Sequence, residues 1–324
     1  MDFQKKNIWV LTDGSQGMIS QVYGLANHFS TNIVHVKTRL LFPWSIIQPG
    51  FLPVYRWIFL NNLELSKKPD IVISCGRKSV FLSIFLKKLF KKKIITLHIQ
   101  NPKIKFSNFD YIIAPNHDDI NGSNVINSIG ALHQFSHNQI NLAKEVYPSM
   151  KKDNIVSVML GGKNRHYKFD NQSALSLIEK IKLLKKKYPN YVFLIINSRR
   201  TNKKIIKMFK NNLKKHALIW DEKDPNPYLF ALKYSKFFIL TSDSTSMISE
   251  CAFTKKAIYI FELPFKRKSK RMENFHKEFN KLKITRKLLD NLNLSESNYK
   301  TLDEAKRISV ILKERIVESI NESR

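Results

Sequence analysis

The stretch Ile155-Val156-Ser157-Val158-Met159-Leu160-Gly161-Gly162 decides the fold. An apolar run of strand length that ends on paired glycines, with helical spacing over 174–187 after it, reads as a strand buried on both faces of a parallel sheet. The same pattern recurs in both directions. Toward the amino terminus it predicts strands over 8–11, 33–36, 70–74, 94–98 and 111–114, and helices over 19–29 and 80–90. Toward the carboxyl terminus it predicts strands over 191–197, 237–241 and 257–261, and helices over 205–213 and 248–253. Such alternation argues for an α/β protein whose parallel sheets are covered on both sides. It restarts after the polar break Lys151-Lys152-Asp153-Asn154. The expected domains are therefore 1–150 and 151–300, two Rossmann-like halves facing across a cleft. A last helix within 301–324 is free to cross back to the first domain. Thr301 and Glu304 have the spacing of a capping box at its start. Ligands of doubly wound sheets bind at the carboxyl ends of strands.

Composition excludes several classes. Of 324 residues, 43% are hydrophobic, 11% aromatic and 25% charged, which a disordered chain would not combine. Two cysteines, Cys75 and Cys251, cannot build a disulfide framework or a cysteine-rich zinc site, and a reducing compartment is expected. The amino-terminal residues lack a secretory pattern, so the protein is expected in the cytoplasm. The 56 basic residues against 26 acidic ones give a net charge of +30, which favours anionic partners. Of those 56, 44 are lysines and 12 arginines. Abundant Asn and Ile beside scattered lysines is the bias of AT-rich coding, so genome composition ranks ahead of nucleic-acid binding as the source of the charge, with an anionic membrane surface as the third reading. Residues 40–60 are rich in Leu, Ile, Phe and Trp, but Pro43, Pro49, Pro53 and Arg56 rule out a spanning helix. Trp44, Tyr55 and Trp57 suit either a bilayer surface or a packed loop.

Six segments at predicted strand ends carry chemistry. Thr12-Asp13-Gly14-Ser15-Gln16-Gly17 lacks the dinucleotide-binding glycine spacing; Asp13 suits proton transfer or a helix cap. Ser74-Cys75-Gly76-Arg77 and His98-Ile99-Gln100-Asn101-Pro102 follow the next strands, with His98 either an acid–base group or a core donor. Gly161-Gly162-Lys163-Asn164-Arg165 has the glycines and cations of a diphosphate cradle. Arg199 and Arg200 sit at another strand end. Ser242-Asp243-Ser244-Thr245-Ser246 opens a helix that carries Glu250, a carboxylate able to accept from ribose hydroxyls.

Taken together, Leu11-Thr12-Asp13-Gly14 through Gln21 and Gly24, Ser74 to Arg77, His98 to Pro102, Leu160-Gly161-Gly162, Ser198-Arg199-Arg200-Thr201 and Thr241 to Glu250 resemble one bacterial family. Its members are inferred glycosyltransferases related to the plant elongated-mitochondria fission protein, and the resemblance spans roughly residues 8–282. It implies a GT-B-like architecture and a metal-independent, inverting transferase with no cofactor beyond its nucleotide-diphosphate sugar. On that reading Gly161, Gly162, Arg165, Arg199, Arg200, Ser242, Asp243, Ser244, Thr245, Ser246 and Glu250 hold the donor. Gly14, Gln21, Gly76, Arg77, Gln100 and Asn101 line the acceptor side. Asp13 is the first choice of base and His98 the second. The expected acceptor is lipid-linked or part of the envelope, reached from the inner face of the cytoplasmic membrane. A non-catalytic membrane adaptor and a nucleotide-sugar epimerase remain the alternatives.

Overall fold

The computed structural model describes residues 2–60, 67–148, 150, 152–223 and 225–322; Lys151 of the polar break lies outside them. The chain forms two compact units, Met1–Phe135 with Asp303–Arg324, and Ser136–Leu302.

The first unit runs β1 (Ile8–Thr12), α1 (Gln16–Ala26), β2 (Ile33–Lys37), β3 (Ile71–Cys75), α2 (Arg77–Phe90), β4 (Ile95–Ile99), β5 (Tyr111–Pro115) and β6 (Val125–Ser128). The second contains α3 (His137–Asn141), β7 (Ile155–Leu160), α4 (Asn171–Lys187), β8 (Val192–Asn197), α5 (Lys203–Leu213), β9 (Ala217–Ile219), α6 (Tyr228–Tyr234), β10 (Ser235–Thr241), α7 (Thr245–Ala252), β11 (Ala257–Phe261), α8 (Lys270–Lys281) and β12 (Thr285–Lys287). The closing helix α9 (Glu304–Glu322) belongs to the first unit.

Both sheets are parallel and six-stranded, ordered β2-β1-β3-β4-β5-β6 and β12-β11-β10-β7-β8-β9. Strand alternation sorts the first core. Ile8 and Val10 face Val22 and Leu25 of α1 and Ile308, Leu312 and Ile316 of α9. Trp9 and Leu11 face Phe81, Leu82 and Leu86 of α2. In the second unit, Val156, Val158 and Leu160 pack on Leu177 and Ile181 of α4 and on Phe209 of α5. Apolar burial of this kind stabilises by about 25 cal/mol per Å², which is why all-apolar strands fix the sheet interior first. Strand order reverses beside β1 in one sheet and beside β7 in the other, and the carboxyl ends of these strands are the switch points of doubly wound sheets.

Two local expectations are corrected. The Thr301–Glu304 capping box does not form: Asp303 Oδ1 accepts the Lys306 amide at 3.2 Å instead. Glu304 is buried, accepting from the Ile129 amide at 2.8 Å and from Arg307 at 2.6 Å. In the 40–60 stretch, Trp44 is not a surface residue. It is buried, and its indole N–H donates to the Pro53 carbonyl at 2.9 Å; Trp57 packs edge-on against it from outside.

Candidate functional site

At the switch point of the second sheet, three loops are knotted around one carboxylate. The Thr241 hydroxyl donates to Asp243 Oδ1 at 2.7 Å, and the Gly162 amide donates to Oδ2 at 3.0 Å. Arg200 Nη2 reaches Oδ2 at 2.9 Å, the carboxylate being 0% and the guanidinium side chain 39% exposed. The Gly161 amide donates to Thr241 Oγ1 at 2.8 Å, and the Thr201 hydroxyl to the Gly161 carbonyl at 2.6 Å. Asn164 adds an amide donor to the Asp243 carbonyl at 3.0 Å.

This arrangement changes the role expected of the glycines. A Cβ on Gly161 would lie 2.0 Å from Asp243 Oδ1, and one on Gly162 would lie 2.0 Å from the Arg200 carbonyl oxygen. Glycine is required because the three loops touch, and both amides are already engaged by Thr241 and Asp243. They do not form the diphosphate cradle that their position suggested. Asp243 is a structural acceptor, and Arg200 neutralises it. Ser242 is likewise committed: its hydroxyl accepts the Leu263 amide at 3.0 Å, and its carbonyl accepts from His276 Nε2 at 2.8 Å.

What the knot presents is the start of α7. Ser244 caps the helix, accepting the Met247 amide at 3.4 Å, while the amides of Thr245 and Ser246 lie in the first turn, where no intrahelical acceptor exists. Ser244, Thr245 and Ser246 are half-buried, and the helix dipole favours an anion there. Further along α7, Glu250 is buried and accepts a short hydrogen bond from the Tyr228 hydroxyl of α6. Burial, and then the Glu250 charge, push the Tyr228 pKa well up, so the phenol keeps its proton and fixes the carboxylate.

Arg165 and Arg199 are exposed on the same edge of the sheet. The loop after β7 is tied to the loop after β11 by the Lys266 amide on the His166 carbonyl, 2.7 Å, and by Tyr167 stacked on Phe265 at 4.5 Å. Burial lowers the His166 pKa, and the neighbouring charges of Arg165, Arg271 and Arg267 lower it further. Arg267 and Arg271 are cations that the sequence reading passed over. They come from the run Lys266-Arg267-Lys268-Ser269-Lys270-Arg271, which by composition alone is a solvated basic segment.

At the switch point of the first sheet, Asp13 Oδ1 accepts the Ser15 amide at 2.9 Å and closes the turn into α1; the residue is half-buried. Thr12 Oγ1 accepts the Gly14 amide at 3.0 Å and lies 2.8 Å from His35 Nε2. Burial and Lys37 lower the pKa of that histidine, which sequence reasoning did not single out. Gln21 and Gln100 meet, amide nitrogen to amide oxygen, at 3.4 Å. The Asn101 amide donates to Asp118 Oδ2 at 3.2 Å. Gly76, at φ 89°, abuts Met18, where a Cβ would be 2.4 Å from the sulfur.

Two expected residues point elsewhere. His98 is fully buried in β4, its Nδ1 2.8 Å from the Ser74 hydroxyl and its ring against Phe109. Burial pushes its pKa down to about 3, so it is a neutral core group with no access to a substrate proton. Arg77 donates to the carbonyls of Ile47 at 2.6 Å and Ser45 at 2.5 Å; it anchors the 40–60 loop and does not face an acceptor. Among the described residues, no group of three His, Cys, Asp or Glu side chains is placed to hold a metal ion.

The sequence profile of the family described as mitochondrial fission ELM1 matches residues 16–316. The uncharacterized protein RP120 of Rickettsia prowazekii (strain Madrid E) is 30% identical across 95% of this chain and 98% of its own length. The mitochondrial fission protein ELM1 of Arabidopsis thaliana is 25% identical across 59% of this chain, and the match spans 51% of the plant protein. Among solved structures, UDP-GlcNAc 2-epimerase from Neisseria meningitidis bound to UDP-GlcNAc is similar with a TM-score of 0.54 at 13% identity, covering 96% of this chain and 99% of that one. The glycotransferase of kitacinnamycin is similar with a TM-score of 0.53 at 11% identity, covering 95% and 90%. These likenesses show a GT-B-like fold.

Proposed function

We propose that this chain, which belongs to the mitochondrial fission ELM1 family, is a glycosyltransferase that moves a sugar from a nucleotide diphosphate to a lipid-linked or envelope acceptor at an anionic membrane surface. The observation that carries the reading is the pairing of Glu250, fixed by Tyr228, with the open first turn of α7 at the switch point of the second sheet. A buried carboxylate held by a protonated phenol is pre-set to accept from the vicinal hydroxyls of a ribose. One to two turns back, the Thr245 and Ser246 amides suit the adjoining diphosphate, with Arg165 and Arg199 as countercharges. The fold is shared with proteins whose structures hold UDP-GlcNAc or UDP, which supports a nucleotide sugar as ligand.

In the reaction, Asp13 takes the proton of the acceptor hydroxyl, whose oxygen bonds to the anomeric carbon as the bond to the diphosphate oxygen breaks. One displacement inverts the anomeric centre. The leaving diphosphate gains negative charge, and fixed amides and guanidiniums stabilise that charge more in the transition state than in the ground state. Asp13 suits the role because the Ser15 amide holds it at a switch point while leaving it half-buried.

Calorimetric titration with UDP- and GDP-sugars tests the donor site. Wild-type protein binds one of them, and Glu250→Gln binds it at least tenfold more weakly; silence from both proteins with every donor overturns the reading in favour of a non-catalytic adaptor. An epimerase is the second reading, favoured by the shared fold with UDP-GlcNAc 2-epimerase. Incubation with donor alone separates the two, since only an epimerase converts it without an acceptor.

A further inference from the structure

Among the described residues, those of the loop between β2 and β3 include the four most exposed aromatic side chains. Phe51 is 78%, Phe42 75%, Ile46 66% and Trp57 59% exposed. With Tyr55, which stacks on Trp57 at 5.6 Å, the loop holds every exposed aromatic side chain among the described residues. The loop is built, not frayed. An antiparallel bridge between Leu40 and Phe59 closes its base, with the Leu41 amide on the Ile58 carbonyl at 2.9 Å and the Leu60 amide on the Arg39 carbonyl at 3.1 Å. Trp44 pins its interior to Pro53, and Arg77 of α2 clamps the carbonyls of Ser45 and Ile47. A rigid frame therefore holds side chains in water that a soluble protein normally buries.

Charge identifies the occupant. Residues 14–63 contain no Asp or Glu, and neither do residues 100–109. The second of these segments lies beside the loop: a Cβ on Gly50 would sit 3.1 Å from Ile104 Cγ2, and Lys103 and Lys105, on either side of Ile104, are exposed. Arg56 is exposed within the loop itself. Exposed Phe, Ile and Trp side chains on a stretch without Asp or Glu, flanked by Arg56, Lys103 and Lys105, match the acyl boundary and headgroup layer of an anionic bilayer. Lysine is depleted in protein–protein interfaces, whereas lysine and arginine beside exposed aromatics are the pattern of a headgroup contact. No helix among the described residues is long and apolar enough to span a membrane, so attachment would be to one face.

We propose that the 41–60 loop is a membrane-docking device that inserts Phe42, Ile46, Phe51 and Trp57 into an anionic phospholipid surface while Arg56, Lys103 and Lys105 engage headgroups. This names the contact surface for the membrane partner invoked above, yet it stands on observations separate from the donor site.

The test is co-sedimentation of the full chain, without nucleotide, with vesicles of phosphatidylcholine alone or mixed with phosphatidylglycerol. Wild-type protein is expected to bind the mixed vesicles at least tenfold more tightly than the neutral ones. The combined change Phe42→Ser, Phe51→Ser and Trp57→Ser should cost more than tenfold on both. Arg56→Gln with Lys103→Gln and Lys105→Gln should cost about a hundredfold on the mixed vesicles, at roughly fivefold per cation, and remove most of the salt dependence. Leu175→Ser with Leu183→Ser, exposed on α4, should bind as wild type does. All changed side chains are on the surface, and far-UV circular dichroism verifies folding. Wild-type protein left in the supernatant, or aromatic variants that bind unchanged, overturns the proposal. So does a wild-type dimer in sedimentation velocity that the aromatic changes abolish, since the patch would then cover a second copy. Donor titration is read without lipid, so either result can fail while the other holds.

Discussion

Replacing Asp243 by Asn tests whether the second switch point is a structural knot or a ligand surface. The carboxylate is fully buried and accepts from the Thr241 hydroxyl at 2.7 Å and the Gly162 amide at 3.0 Å, with Arg200 beside it. Arg200 is 39% exposed, so solvent screening reduces its share to under about 1 kcal/mol. Each buried bond to a charged acceptor is worth about 1.5–3 kcal/mol. Asn supplies one acceptor and one donor group: one orientation of its amide sets N–H against the Gly162 N–H, and the other makes the Thr241 oxygen accept and leaves the Thr241 proton without its acceptor. Loss of one such bond and of the ion pair gives about 3 kcal/mol. The assay is urea unfolding followed by Trp220, the one tryptophan in the second unit. A double-mutant cycle sharpens it. Gly161→Ala drives a Cβ into Asp243 Oδ1, so its cost should fall by at least about 1 kcal/mol in an Asp243→Ala background. Asp243→Asn unfolding within about 1 kcal/mol of wild type, or losing donor affinity with stability intact, refutes the reasoning.

Two further outcomes follow from buried groups. His98 has a folded-state pKa pushed down to about 3 against an unfolded value of about 6.5. Below pH 6.5 the unfolded chain takes up a proton that the native state refuses, and stability falls with pH until the folded pKa is reached. Linkage over that window gives a loss of about 2 kcal/mol between pH 7.5 and pH 5. Urea melts of wild type and His98→Asn at the two pH values measure it, and an unchanged pH slope in the variant would refute it. Tyr228→Phe removes the donor that fixes Glu250; it should weaken donor binding by about fivefold to tenfold and lower stability by about 1.5–3 kcal/mol, read by calorimetry and by the same melts.

The sheets were legible because their central strands are apolar on both faces. Ile155–Leu160 and Ala257–Phe261 coincide with their expected ranges, and only a strand covered by helices on both sides reads that way. Of the edge strands, β2 was legible over 33–36, whereas β6, β9 and β12 were not. In β12, Thr285 is buried while Arg286 and Lys287 turn outward, so no apolar run marks the strand, and α8 exposes nine of twelve residues in whole or in part, leaving Met272, Phe275 and Phe279 to mark its buried stripe. At the site, position was readable and role was not. Glycine is the same letter whether backbone must approach an anion or another loop, and only Asp243 lying against Gly161 separates the two. Arg77 was equally ambiguous, since a strand-end arginine can meet a ligand or, as here, two carbonyls of a loop 30 and 32 residues away in sequence; the loop geometry decides.

The first unit is interrupted in sequence: its core over Ile8 and Val10 is closed by Ile308, Leu312 and Ile316 of α9. During synthesis, then, the middle of the polypeptide can mature while the beginning still waits. Ser136–Leu302 is contiguous and needs nothing from α9, whereas the opening segment keeps an apolar face uncovered until α9 has been made. The first unit therefore cannot close its core before the second has been synthesised, and its nascent sheet is the part that a chaperone would need to shield.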